Sequence, residues 1–456
     1  MERLARARRF WTIFGDVGIV ATVTMGVLML VLLVLQLFAF ASDPVGVAEN
    51  APPAITLVGL PGVNPIIPLW FGIAGLVIAL VVHEGSHGVL ARLGAMKVKS
   101  TGLLLCVVPI GAFVEPDEKD LERAPIRHRN RVFAAGPWAN LLVAIVAGVL
   151  FSSLFVTAMA PPAAEGVTVT SLVPGAPAQA AGLAAGDVLL GMRVLTAGPV
   201  GTDGDATGAP VGHAYAFANQ TAFSAALNET AAGQAVALGL LRDGKSSELT
   251  VTLSERAAAT RADGREPKPW EEGKGFLGVS TLDARVLKGL RDALADPFAQ
   301  DGIGLFFFYP LFVFANRVDI LNAPFSALYD IEGPLGALPP GLFFGLANLL
   351  YWVFWLNLML GSFNALPAGP LDGGQMFRAS LRDFVWKRLG VDRDRVALEP
   401  GPGDRGLFAR GLDDETQGKL DRAQHVVRRV TLTLGLFILA MILLPILAPK
   451  LVLLFA

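Results

Sequence analysis

Residues 69–93 read LWFGIAGLVIALVVHEGSHGVLARL. As a helix this run is long enough to cross a hydrocarbon core about 30 Å thick, which takes about 20 apolar residues. His83, Glu84 and His87 nevertheless lie inside it. An ionisable side chain at mid-bilayer costs about 2.5 to 3.5 kcal/mol on insertion scales, so three of them this close together need a compensating interaction. Residues four apart share a helix face, and both imidazoles can therefore hold one metal ion. His-Glu-x-x-His is the zinc spacing in which the glutamate serves as general base. Glu84 sits about 100° round the helix from His83, where it can accept a proton from water that zinc makes acidic near neutral pH. The alternative is that the histidines bond to carbonyls of a neighbouring helix.

The rest of the chain fits a membrane setting. Hydrophobic residues make up 53% of the 456 and charged residues 17%. The apolar residues fall into blocks of spanning length, which excludes an ordinary soluble enzyme. With 37 basic and 39 acidic residues and no long basic run, nothing points to nucleic acid. Cys106 is the single cysteine and reads as a small buried apolar residue. Full spans are expected at 17–40, 69–93, 132–160, 342–363 and 430–447. Arg3, Arg6, Arg8 and Arg9 put the amino terminus in the cytosol, and the clusters 92–99, 119–131 and 378–388 fall on the same side. Residues 301–315 are apolar but short and interrupted by Pro310, so they read as interfacial or re-entrant. Residues 101–114, with Pro109 and Gly111, suit a hairpin dipping into the membrane. From Ala163 to Glu255 hydropathy falls and short alternating strands appear, with a hairpin turn at Arg242-Asp243-Gly244-Lys245. That is a soluble domain on the outer side. Residues 256–274 are charged and carry Pro267 and Pro269, a linker or extended flank, and Val391 to Arg422 reads as a solvated cytosolic connector.

Two histidines leave a catalytic zinc short of one protein ligand. The candidate is Asp372, in Asn364-Ala-Leu-Pro367-Ala-Gly-Pro370-Leu371-Asp372-Gly373-Gly374, where the prolines and glycines prevent a regular helix. Asp372 also fits a capping role, with Gln375 three residues later. The depths agree. His83 lies roughly 21 Å down a helix that enters from outside, and Asp372 follows a span that also runs inward.

Taken together, these motifs resemble the site-2 protease family of intramembrane zinc metalloproteases. The matching pieces are His83-Glu84-x-x-His87, Asn364-x-x-Pro367-x-x-x-Leu371-Asp372-Gly373 and Ala135-Gly136-Pro137-x-x-Asn140. Pro109-Ile110-Gly111-Ala112-Phe113-Val114 is similar to the family's membrane hairpin, which pairs with an extended substrate; Gly111-Ala112-Phe113 stands where Gly-Gly-Tyr is frequent. The resemblance implies that His83, His87 and Asp372 bind Zn2+ and that Glu84 is the general base and acid. It further implies that Asn364, Asn140, Gly111, Ala112 and Phe113 meet the substrate or its oxyanion. The outer domain resembles a bacterial protease PDZ domain through Val173-Pro-Gly-Ala-Pro-Ala and Ala181-Gly-Leu-Ala-Ala-Gly-Asp187, which implies peptide binding by strand addition. His213, after a Gly-rich stretch, reads as a solvated loop residue.

The fold expected is a polytopic α-helical membrane protein with an inserted soluble PDZ-like domain, mixed α/β and mostly β. Its parts are a first span (1–41), a catalytic core in two pieces (66–162 and 338–390), the PDZ-like domain and flank (163–280), an interfacial segment (281–337), a connector (391–427) and a last span (428–456). The function expected is hydrolysis of single-span membrane proteins, after another protease has shortened their outer portion. The active site would lie toward the cytosolic half of the cell membrane, against lipid. A catalytically silent scaffold that gathers partners through the PDZ-like domain is the alternative, and a transporter would spread its polar residues over several spans.

Overall fold

The computed structural model describes residues 7–49, 53–106, 108–161, 165–199, 207–242, 244–299, 302–316, 318–391, 399–400, 407–408 and 414–455. Among them are five helices long and apolar enough to cross a membrane: Arg8–Ser42, Leu69–Leu93, Ile126–Ala158, Pro340–Asn364 and Glu415–Leu444. A helix pairs its backbone groups within the segment, so these apolar runs adopt a structure that a bilayer tolerates. The chain divides into two compact units, Met1–Leu150 with Asn348–Ala456, and Phe151–Ala347.

In the first unit the helices meet through small residues. Gly15, Gly18, Thr22 and Gly26 form the buried stripe of the first spanning helix. A Cβ at Gly26 would lie 2.5 Å from the carbonyl oxygen of Ala365, closer than the backbone allows, and one at Gly18 would press on the Trp138 ring at 3.0 Å. At one end of that helix Asp16 accepts from Arg127 (2.9 Å) and Arg131 (2.7 Å), tying it to the third spanning helix. The third helix starts at Ile126, earlier than the expected Val132, and runs through Pro137. Between the second and third helices lies the hairpin of β1 (Val98–Cys106) and β2 (Val108–Pro116). Their antiparallel register pairs Thr101 with Val114 and Gly102 with Phe113. The fourth helix ends at Asn364, and after the loop through Pro367 and Pro370 helix Asp372–Leu389 begins. Gly373 and Gly374 let it start there. A Cβ at either would collide with the loop backbone at Ala365 or Ala368.

The last helix is longer than the expected span. It runs Asp414–Phe455, with Leu420, Ala423 and Val427 buried at helical spacing on its polar upstream part. The remainder of the expected connector falls largely outside the described residues, as does the side chain of Cys106.

The second unit holds a six-stranded antiparallel sheet. Its strands are β3 (Val167–Leu172), β4 (Val188–Val194), β5 (Ala214–Ala216), β6 (Ala235–Arg242), β7 (Lys245–Thr252) and β8 (Val279–Asp283). The order is β8-β3-β4-β6-β7, with β5 also on β4. Val167, Leu189, Phe217, Phe223, Leu238 and Leu240 are among the residues of its core. Arg242, at the end of β6, forks onto buried Asp187 (2.6 and 2.7 Å) and the carbonyl of Gly182 (2.9 Å), closing the glycine turn before β4. The expected hairpin turn joins β6 to β7, although Asp243 itself lies outside the described residues. Residues 256–274 correct the sequence reading. They include helix Arg256–Ala262, with Ala257 and Thr260 buried, and lead to β8 at the sheet edge, so this flank is folded. His213 is exposed and its ring packs on Tyr215. Helix Gly302–Asn316 has 15 residues, too few to span a bilayer.

Candidate metal centre

The second spanning helix presents His83 and His87 on one face, with ring centroids 4.8 Å apart. Both are buried, and Asp372, at the first position of its own helix, closes on them. Its Oδ2 lies 3.0 Å from His83 Nε2 and 3.4 Å from His87 Nε2. The helix N-cap is Leu371, so the Asp372 carboxylate faces the imidazoles and does not cap the helix. Gln375 instead reaches back to the carbonyl of Pro370.

The outer nitrogens explain what the inner ones do. His87 Nδ1 donates to the carbonyl of Val132 (2.7 Å). His83 Nδ1 meets Asn140 Nδ2 at 3.2 Å, and Asn140 Oδ1 has no partner among the described residues. The two ends of an amide share one shape, and turned over it would offer Oδ1 to accept the Nδ1 proton of the ring. Each ring then directs an Nε2 lone pair inward. In that arrangement two imidazole lone pairs and a carboxylate oxygen, all within 4.8 Å of one another, are three acceptors facing each other. A cation resolves that. Zinc bonds of about 2.0 to 2.2 Å in tetrahedral array set ligand atoms roughly 3.3 Å apart, close to the separations from Asp372. Gly136 keeps the cradle open: a Cβ there would lie 2.5 Å from His87 Nε2 and 2.6 Å from His83 Nε2. The residues present fit a zinc ion.

Glu84 leaves this cluster by one residue and accepts a hydrogen bond from the Val114 N–H of β2 at 2.8 Å. Residues 112 and 114 share parity in the hairpin register, so Ala112 directs its backbone groups to the same free edge of β2. Phe113 is partly exposed. Asn364 closes the fourth spanning helix half-buried, and its side chain forms no hydrogen bond among the described residues. Asn140 departs from the expected substrate contact: it is fully buried and its amide serves His83. The Val132 carbonyl and the Val114 N–H carry no side-chain signal in a sequence. Of the two, only the hairpin register could have pointed to Val114.

Over residues 71–397 the chain matches peptidase family M50. The chain belongs to this family. As an M50 protein with five spanning helices it is a multi-pass membrane protein. An uncharacterized protein of Methanocaldococcus jannaschii is 35% identical over 144 residues, 31% of this chain and 37% of that protein. Zinc metalloprotease RasP of Shouchella clausii is 25% identical over 291 residues, 62% of this chain and 60% of that one. The M50 chain thus spans less than two thirds of the length of either relative.

Proposed function

We propose that the chain is an intramembrane zinc metalloprotease that hydrolyses peptide bonds in or beside the transmembrane segments of single-span proteins. The observation that carries this reading is the convergence of Asp372 on His83 and His87, which share with Glu84 a helix of membrane-spanning length. Membership of peptidase family M50 and the similarity to a zinc metalloprotease support it.

In this reading His83 Nε2, His87 Nε2 and an Asp372 oxygen hold the zinc. Bound zinc acidifies water and polarises a carbonyl. Glu84, aimed by the Val114 N–H, takes the proton of the attacking water and returns it to the leaving amide nitrogen. The Asn364 amide, whose side chain forms no hydrogen bond among the described residues, donates to the carbonyl oxygen as negative charge develops. A helical substrate hides its carbonyls in its own hydrogen bonds, so it must unwind first. The free edge of β2 at Ala112 receives the extended segment as an added strand. Asn140 and the Val132 carbonyl hold the two rings in the tautomer that leaves Nε2 unprotonated.

The sheet of the second unit is a PDZ-like domain on the outer side, acting as a size filter or docking site once another protease has trimmed the substrate. Its glycine turn closed by Asp187 and Arg242 and its free β8 edge suit that role. The active site faces the cytosolic half of the membrane.

The deciding test is Glu84→Gln in the purified chain with a single-span model substrate. We expect one zinc per chain in both proteins and a loss of cleavage of about 10²- to 10⁴-fold in the variant. Undiminished cleavage would overturn the role of Glu84, and absence of zinc from the parent would overturn the reading as a whole.

A further inference from the structure

The hairpin that borders the site is tied to it twice. One tie is the Val114 N–H on Glu84. The second runs through the segment after β2. Asp117 caps helix Glu118–Arg123 by accepting the Asp120 N–H at 3.1 Å, a bond that holds its carboxyl below the usual carboxylate range. The same helix is fastened to the root of β1, because Lys97 N–H donates to Asp120 Oδ2 (3.0 Å) and Asp117 N–H to the Lys97 carbonyl (2.6 Å). Hairpin and short helix therefore move as one body.

From that body Glu122 reaches across to two guanidinium groups. Its Oε2 accepts from Arg129, on the third spanning helix, at 3.2 Å and from Arg382 at 2.5 Å. Arg129 is 3% exposed and Arg382 16%, so removing the carboxylate would strip these cations of a close counter-charge where water is scarce. Arg382 belongs to helix Asp372–Leu389, which begins with the metal-facing aspartate. Its guanidinium lies over Trp386, itself packed against Leu420 and Ala423. Asn130 adds a second tie to the same helix by donating to Ser380 (3.0 Å). These anchors lie roughly 12 to 15 Å beyond Asp372 along a helix whose start is wedged against loop backbone. A shift of the helix at Arg382 must therefore move the Asp372 carboxylate.

We infer that Glu122 is a positioning residue that couples the place of the hairpin to the place of Asp372, so that a segment laid along β2 tightens the grip on the metal. The coupling rests on the protease reading above. By linkage it is reciprocal: whatever substrate binding does for metal retention, the metal does for substrate binding.

The test measures zinc transfer from the full chain to a chromophoric chelator, with and without a single-span substrate, in a Glu84→Gln background where the substrate stays intact. Bound substrate should slow zinc release by about 5-fold or more. Adding Glu122→Gln or Arg382→Gln should speed release about 10-fold and abolish the protection, and the double variant should be no worse than either alone. Arg193→Gln, which breaks an exposed pair with Glu248 in the other unit, should leave both readings at background values. Protection that persists in Glu122→Gln overturns the inference, and so does a bound substrate that fails to slow release in the background. Should Glu122→Gln not fold, Arg382→Lys carries the test, with release and protection expected between background and loss; background values there overturn it. A background protein that holds no zinc refutes the protease reading instead, which is a separate result.

Discussion

Gly136 decides whether two histidines can hold anything at all. Its missing side chain leaves the space into which both Nε2 atoms point. Gly136→Ala should therefore drop zinc from one per chain to nearly none, as read by metal analysis of the purified protein. Gly85→Ala, on the same helix as the histidines, would meet nothing within 4 Å and should keep its zinc. At this scale the His-Glu-x-x-His residues were legible because their spacing states a geometry that any helix obeys. Asp372 was legible as a carboxylate needing a partner, and the position of Leu371 at the N-cap removes the capping alternative. Asn140 was misplaced for a physical reason. A polar residue in a span must face something polar, and its sequence does not say whether that is a cavity or the back of an imidazole.

Among the elements, the hairpin carries the most consequence for chemistry. The Val114 N–H is a donor that only proline removes without altering a side chain at the metal. Val114→Pro should leave zinc at one per chain while lowering kcat roughly tenfold through a misdirected Glu84, measured by single-turnover cleavage. Unchanged kcat would show that Glu84 needs no such guide. The hairpin and the spanning helices could be read ahead of the structure because hydrophobic period and length are local properties. The flank 256–274 could not: its charges and prolines mask Ala257 and Thr260, which lie in a helix packed on the paired segments Ser254–Glu255 and Gly275–Phe276, brought together only by the fold. The upstream turns of the last helix hid similarly, since Leu420 and Ala423 are buried in one cluster with Trp386 of helix Asp372–Leu389.

At the scale of the molecule, five apolar helices and an inserted sheet set the topology. In the proposed topology, with the amino terminus in the cytosol, three crossings precede residue 265 and four precede residue 395, so the membrane separates the two positions. Protease added outside sealed cells should cut a tag inserted at residue 265 and spare one at residue 395; the reverse pattern would invert the sidedness. Composition alone revealed the class, whereas the meeting of residue 372 with residues 83 and 87 is a property of packing that no local pattern encodes.

That meeting is tested most directly by X-ray absorption at the zinc edge of the purified full chain. We predict one zinc with two imidazole nitrogens at about 2.0 to 2.1 Å and oxygen ligands at about 2.0 to 2.2 Å, one of the oxygens lost in Asp372→Ala. A spectrum unchanged by that substitution, or one lacking imidazole scattering, would contradict the account.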